Sequence, residues 1–203
     1  DVLKELESNK KVYYDRENKR IALMSMYKLE CRIANEFKRI MNNKLIKHEE
    51  NWEEIIENVQ IAQGWDFTDE QLNGIEMAMN NSLVLITGLA GSGKSSVVKG
   101  LTSVYPSNIN LVQCALSGCA SQRIKQASGN EANTIHKTLG IDFATGGFLH
   151  NKDNPLDADI VILDEASMVS GSLFYSLLCA IGDNTKLVIL GDYGQLESIG
   201  NCN

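Results

Sequence analysis

Ser82-Leu83-Val84-Leu85-Ile86-Thr87-Gly88-Leu89-Ala90-Gly91-Ser92-Gly93-Lys94-Ser95-Ser96-Val97-Val98 decides how the rest of the chain is read. Leu83 to Ile86 is a continuous apolar run, the pattern of a strand buried on both faces of a parallel sheet. Gly88 to Ser95 then spells G-x-x-x-x-G-K-S. Glycines at that spacing let backbone N–H groups turn inward around phosphate oxygens. In such a loop Lys94 reaches the β- and γ-phosphates of a nucleotide and the Ser95 hydroxyl holds Mg²⁺. The helix that follows points its positive N-terminal end at the same anion. A Gly/Ser-rich turn with no ligand is the competing reading, and the buried-strand pattern directly upstream disfavours it.

The chain of 203 residues is 43% hydrophobic, enough for one α/β domain and a smaller attachment. No apolar run approaches the ~18 residues that span a bilayer, and the opening residues do not read as a signal peptide, so no membrane partner is expected. Five cysteines, Cys31, Cys114, Cys119, Cys179 and Cys202, are odd in number and lack C-x-x-C spacing. They read as reduced thiols of a cytoplasmic protein rather than a disulfide or zinc framework. Charge is unevenly placed: residues 1–47 carry 12 Lys/Arg against 7 Asp/Glu, and residues 48–203 carry 7 against 19, for a net −7. An acidic chain binds a polyanion only locally, through a few placed residues. Asp1 in place of a methionine, and an end at Asn203 just after a turn, read as an excised portion of a longer chain.

Upstream of the loop, Val2, Leu3 and Leu6 mark a helical fragment, and Val12 to Tyr14 and Ile21 to Leu23 are strand-like around a polar turn. Met26, Leu29, Ile33, Phe37 and Ile40 recur at helical spacing, predicting an amphipathic helix over 26–42. Part of a winged-helix module and a plain helical extension both fit. His48 to Gln63 is a second amphipathic helix with Trp52, Ile55, Ile56 and Val59 inward. Its acidic run from Glu49 to Glu57 lies early, where the helix dipole favours negative charge. Thr68-Asp69-Glu70-Gln71 opens a third helix as a capping box. The Gln71 amide, with its paired donor and acceptor, could equally read an adenine edge. Residue physics alone leaves that open.

Downstream, Ile109 to Ala115 reads as a second strand. Ser117-Gly118 leads into a helix stopped by Gly129, and Thr134 to Leu139 is a short helix ended by Gly140. Residues 141–158 are loop-like. Ile160 to Leu163 is a third buried strand ending in Asp164-Glu165. Carboxylates at a parallel strand's C-terminal tip face the ligand side of the sheet. Asp164 can bind Mg²⁺ there, and Glu165 can orient and deprotonate the attacking water. Ser172 to Ile181 is a helix and Lys186 to Leu190 a fourth strand, ending at Gly191-Asp192. Four apolar strands separated by helices make an α/β fold with a parallel, right-handed βαβ sheet and helices on both faces.

The loop, Asp-Glu-Ala-Ser-Met-Val (164–169) and Gly-Asp-Tyr-Gly-Gln-Leu-Glu-Ser-Ile-Gly (191–200) resemble motifs I, II and III of the RecD-like superfamily 1 DNA helicases, which include the exodeoxyribonuclease V alpha subunit. Phe67-Thr68-x-x-Gln71 is similar to their Q motif, and Ala115 to Ile124 with Thr134 to Lys137 to motif Ia and the segment after it. Residues 2–47 resemble the tail of the family's N-terminal region. The resemblance implies a P-loop NTPase fold of RecA-like type: a helical, winged-helix-like region with a β-hairpin over 1–65 and a first RecA-like motor lobe over 66–203. It implies that Gln71 contacts adenine and that Gly88, Leu89, Ala90, Gly91, Ser92, Gly93, Lys94, Ser95 and Ser96 hold the nucleotide. Asp164 and Glu165 handle Mg²⁺ and water, and Gln195 senses the γ-phosphate. Ser117, Arg123 and His136 lie where single-stranded DNA passes, although a structural role suits His136 as well.

The implied activity is an ATP-dependent helicase translocating 5′ to 3′ in repair or recombination, with ATP and Mg²⁺ as cofactors and possible partner subunits of a nuclease complex. Leu116, Cys119 and Glu197 depart from the family's usual Pro, Arg and Pro, which weakens the expected DNA contacts and leaves the ATP chemistry intact. A second lobe with an arginine finger is expected to lie beyond residue 203, so residues 1–203 alone should hydrolyse ATP poorly. A P-loop ATPase or kinase that moves no nucleic acid and a nucleotide-binding switch or adaptor are the alternatives.

Overall fold

Ile160–Asp164 and Lys186–Gly191 form the centre of the sheet, because every position but the terminal Asp164 is buried. Their side chains alternate between two cores. Val161, Leu163, Leu187 and Ile189 face one side, and Ile160, Ile162, Val188 and Leu190 the other, which is the period of two that a strand imposes. The computed structural model describes residues 2–89, 91–192 and 194.

In chain order the helices are α1 (Val2–Ser8), α2 (Met24–Met41), α3 (Trp52–Gln63), α4 (Asp69–Asn80), α5 (Lys94–Ser103), α6 (Gly118–Ser128), α7 (Ile135–Leu139) and α8 (Gly171–Cys179). The strands are β1 (Val12–Asp15), β2 (Arg20–Leu23), β3 (Leu83–Thr87), β4 (Leu111–Ala115), β5 (Ala132–Thr134), β6 (Ile160–Asp164) and β7 (Lys186–Gly191). Strands β1 and β2 pair as an antiparallel hairpin, and the other five form one parallel sheet in the order β3-β7-β6-β4-β5. Helices α3, α4 and α5 cover one face through Ile56, Ile75, Met79, Val97 and Leu101. Helices α2, α7 and α8 cover the other through Ile40, Ile135, Leu139, Leu177 and Leu178. Among the described residues no helix is long and apolar enough to cross a membrane.

Three sequence expectations are corrected. Strand β3 is not buried on both faces: Leu85 is 62% exposed. With β7 as its sole neighbour among the described strands, β3 lies at an edge, and Leu83 and Leu85 open onto an apolar groove of about 500 Å³ beside Phe37, Phe174 and Ile189. The sheet has five strands rather than four, since residues 132–134 pair with Gln113 to Ala115. Three residues with a polar centre carry no period to read. Helix α3 starts at Trp52, so Glu49 and Glu50 precede it, and the Glu49 N–H instead donates to the Val104 carbonyl at 2.9 Å.

The N-terminal elements are stitched to the sheet domain by side chains. Tyr13 of the hairpin stacks on Tyr27 of α2 with ring centroids 3.7 Å apart. Arg39 of α2 pairs with Glu36 at 2.6 Å and donates to the Leu178 and Ile181 carbonyls at the end of α8. Asn43 donates to the Gly182 and Thr185 carbonyls, both at 2.8 Å.

Lys186, the first residue of β7, is fully buried. Its ammonium donates to the Ala78 and Met79 carbonyls at the end of α4 and to the Tyr105 hydroxyl, where a helix terminus favours a cation. Burial lowers its pKa from 10.5 to about 8. Below pH 8 the folded chain carries the full cost of that buried charge. Between pH 8 and 10.5 it releases the proton before the unfolded chain does, so stability rises with pH through the window. Relative to Lys186→Met, the wild-type protein is expected to gain about 3 kcal/mol across that window, read by urea unfolding at its two ends.

Candidate nucleotide-binding site

The loop after β3 is shaped by two left-handed glycines, Gly91 (φ 81°) and Gly93 (φ 82°), and Gly93 leads into α5. Such angles strain any other residue type. A Cβ on Gly88 would lie 2.5 Å from Ser92 Oγ, so the loop is closed on itself. Lys94 Nζ donates to the Gly88 carbonyl at 2.6 Å and the Leu89 carbonyl at 2.9 Å, and lies 3.8 Å from Asp192 Oδ2. The ammonium thus rests on loop carbonyls at the place where phosphate oxygens would meet it.

Strand β6 delivers the acids. Asp164 Oδ1 accepts from the Glu165 N–H at 2.8 Å. Burial pushes the Asp164 carboxyl up. The Glu165 N–H, Lys94 and Arg123 pull it down and the Glu165 charge adds to the rise, so the net shift is upward. A partly desolvated carboxylate of this kind is suited to a cation ligand. Glu165 has left-handed backbone angles (φ 53°, ψ 37°), and its Oε1 accepts from Arg123 Nη2 at 2.6 Å. A cleft of about 280 Å³ is lined by Gly91, Gly93, Lys94, Ser95, Arg123, Asp164, Glu165 and Asp192. Strands β3 and β6 are separated by β7, whose tip carries Asp192 into the gap.

Gln71 answers both of its readings in part. The capping box with Thr68 is formed: Gln71 N–H donates to Thr68 Oγ1 at 3.3 Å and Gln71 Oε1 accepts from the Thr68 N–H at 3.1 Å. Its Nε2 meanwhile donates to the Ser92 carbonyl at 3.3 Å, so the amide rests on the phosphate loop. One N–H and one oxygen lone pair of the amide are left over, the donor and acceptor an adenine edge would take.

Ser117 caps α6, its Oγ accepting from the Ala120 N–H at 3.1 Å. His136 is exposed on α7, 5.9 Å from the Phe148 ring. Both follow the C-terminal ends of the paired strands β4 and β5, on the same edge of the sheet as the phosphate loop. Arg123 instead reaches into the cleft. Ala90, Gln195 and Glu197 lie outside the described residues. Asp192, absent from the candidate set, was legible in principle as an acid at a strand tip. Among the described residues no group of three His, Cys, Asp or Glu gathers to hold a metal. Ser95 and Asp164 line the same cleft, and a hydroxyl and a carboxylate are oxygen donors of the kind that fits Mg²⁺ sharing its shell with phosphates and water. The four described cysteines are free, and burial pushes the Cys114 thiol up to about 12, which makes it inert.

The parallel sheet, the glycine-shaped loop and the acids of β6 across one cleft define a P-loop nucleotide-binding protein. More narrowly, the chain belongs to the AAA domain family, which residues 71–201 match; membership implies nucleotide binding. It is 32% identical over 133 residues to the ATP-dependent RecD2 DNA helicase of Deinococcus radiodurans, covering 65% of this chain and 18% of that protein. It is 29% identical over 202 residues to the RecBCD enzyme subunit RecD of Buchnera aphidicola, covering 89% of this chain and 33% of that one. The resemblance to RecD-like sequences is borne out, and the chain spans a third or less of the length of these relatives. A chain from a structure of two coordinating Pif1 helicases at forked double-stranded DNA shares the fold, with a TM-score of 0.50 at 22% identity, covering 66% of this chain and 35% of that one.

Proposed function

We propose that residues 66–203 form the first motor lobe of an ATP-dependent DNA helicase, behind a helical N-terminal region with a hairpin over residues 1–65. One observation carries the reading: an ammonium and a hydroxyl from the loop after β3 share a cleft with two acids from the tip of β6. Lys94 and the loop amides through Ser96 bind the triphosphate, with Gln71 on the adenine. Ser95 and Asp164 would hold Mg²⁺, which when bound bridges phosphate oxygens and neutralises their charge. Glu165 takes the proton of the attacking water, and Gln195 reports the γ-phosphate. Single-stranded DNA runs past Ser117, Arg123 and His136, held through its backbone in a salt-dependent way. Translocation is 5′ to 3′, in repair or recombination in the cytoplasm. The RecD relatives, as RecBCD subunits, support partner subunits as well.

The test is ATP hydrolysis by the full-length protein with and without oligothymidine. Turnover stimulated by the single strand, and lost in Lys94→Ala, is the expected result. Equal rates with and without DNA would replace this reading with an ATPase that acts on no nucleic acid. Tight nucleotide binding without turnover would replace it with a switch.

A further inference from the structure

We propose that Arg123 is a latch on Glu165, and that single-stranded DNA drawn along α6 releases it, so that the strand gates the base that activates water. The inference rests on the helicase reading and adds its coupling device. Arg123 Nη2 lies 2.6 Å from Glu165 Oε1. The two side chains are unequally placed, with Arg123 64% exposed and Glu165 15%. The acid sits inside the cleft while the guanidinium that holds it can be reached from solvent.

Glu165 is also held in an unfavourable backbone state. Among the described residues three non-glycines have positive φ; Lys10 sits in the turn before the N-terminal hairpin, Lys19 in the turn that joins its strands, and Glu165 alone lies in the cleft. A left-handed angle on a non-glycine persists where its surroundings over-determine it, and such positions gather at switches. Arg123 is the side chain that fastens the Glu165 carboxylate among the described residues.

Helix α6 carries two cations. Both are paired at 2.6 Å, Lys125 with the exposed Glu131 and Arg123 with Glu165, and of the two only Arg123 holds a group inside the cleft, so it is the cation whose capture by a phosphate backbone reaches the base. Arg123 cannot serve the carboxylate and a phosphate diester fully at once. In the reaction so gated, the water oxygen bonds to the γ-phosphorus. The bond from that phosphorus to the bridging oxygen breaks with its electron pair left on ADP, and the water's proton passes to Glu165. The guanidinium holds Glu165 Oε1 on itself, and its release lets that oxygen turn to the water.

Coupling of this kind is reciprocal, so it reads out without nucleotide. In the nucleotide-free full-length protein, Glu165→Gln is expected to tighten oligothymidine binding, measured by fluorescence anisotropy, by about two- to fivefold, the range of a partly exposed ion pair. In the Arg123→Ala background the same substitution should leave affinity unchanged. In hydrolysis measured both without DNA and at saturating DNA, Arg123→Ala should raise the DNA-free rate by a similar factor and pull the ratio of stimulated to basal rate towards one, with Arg123→Lys between. Equal tightening by Glu165→Gln in both backgrounds would overturn the latch, because the effect would then be bulk charge. A fall of both rates in Arg123→Ala would also overturn it, making Arg123 a phosphate ligand. A wild-type protein whose turnover ignores DNA would sink the helicase reading itself. One that responds to DNA while Arg123→Ala keeps a low basal rate sinks the latch alone.

Discussion

Lys94→Ala in the full-length protein is expected to lower kcat for ATP hydrolysis by about 10²–10³, the usual loss when one preorganised donor to the developing charge is removed. The side chain is 16% exposed, so its ammonium works where water screens little. In the resting loop it joins the Gly88 and Leu89 carbonyls and faces Asp192. Nucleotide exchanges two neutral acceptors for charged phosphate oxygens, a stronger partnership that grows as negative charge develops on the bridging oxygen. Alanine removes both states of this exchange. Equilibrium binding of a fluorescent ATP analogue should weaken less than kcat falls, because the loop amides and the N-terminus of α5 remain. An unchanged kcat would mean that Lys94 is a purely structural clip on the loop.

What could be read in the chain was local. The capping box at Thr68 and the stop glycines Gly129 and Gly140 each act within a few residues, and the structure has all three at helix ends, with Ser117 and Thr134 as further caps. The phosphate loop and the Asp164-Glu165 pair are local for the same reason: a strand end and its neighbouring turn carry the whole signal. Features that escaped depend on partners far away in the chain. Nothing near Lys186 announces that it docks under Ala78 and Met79, more than a hundred residues earlier. Leu85 has an apolar neighbourhood in sequence and an open face in space, because strand order, not composition, puts β3 at an edge. Arg123 was legible as a cation on a helix near the strand path. Its grip on Glu165, 42 residues on, depended on the pairing of β4 with β6, in which Ala115 lies opposite Asp164.

The same lesson makes Arg39→Ala the largest expected loss of stability. The guanidinium joins Glu36 at 2.6 Å, Asp183 at 2.9 Å and the Leu178 and Ile181 carbonyls at 3.0 and 2.8 Å. Asp183 is 85% exposed and counts for little. The other three partners decide the size. Glu36, 7% exposed, would keep Lys152 alone, whose own side chain is 67% exposed, and two carbonyls ending α8 would lose their donor. Breaking a buried charged network of this kind costs about 3 kcal/mol, which for a chain this long lowers Tm by roughly 6–12 °C. Circular dichroism melts measure it directly. The pH dependence carries a sign that separates this account from simple loss of packing. Burial alone would raise the Glu36 carboxyl, but hydrogen bonds from Arg39 and Lys152 outweigh it, and the net pKa lies below the ordinary 4.5. A depressed carboxylate contributes stability that is fully present above pH 4.5 and is lost as pH falls through the folded value. The gap between wild type and Arg39→Ala should therefore be widest above pH 4.5 and narrow in acid. Glu36→Gln combined with Arg39→Met should melt above Arg39→Ala, since neither charge is then left buried without its partner. A double variant no more stable than Arg39→Ala, with a gap indifferent to pH, would mean that α2 is held to α8 by its apolar contacts and not by this arginine.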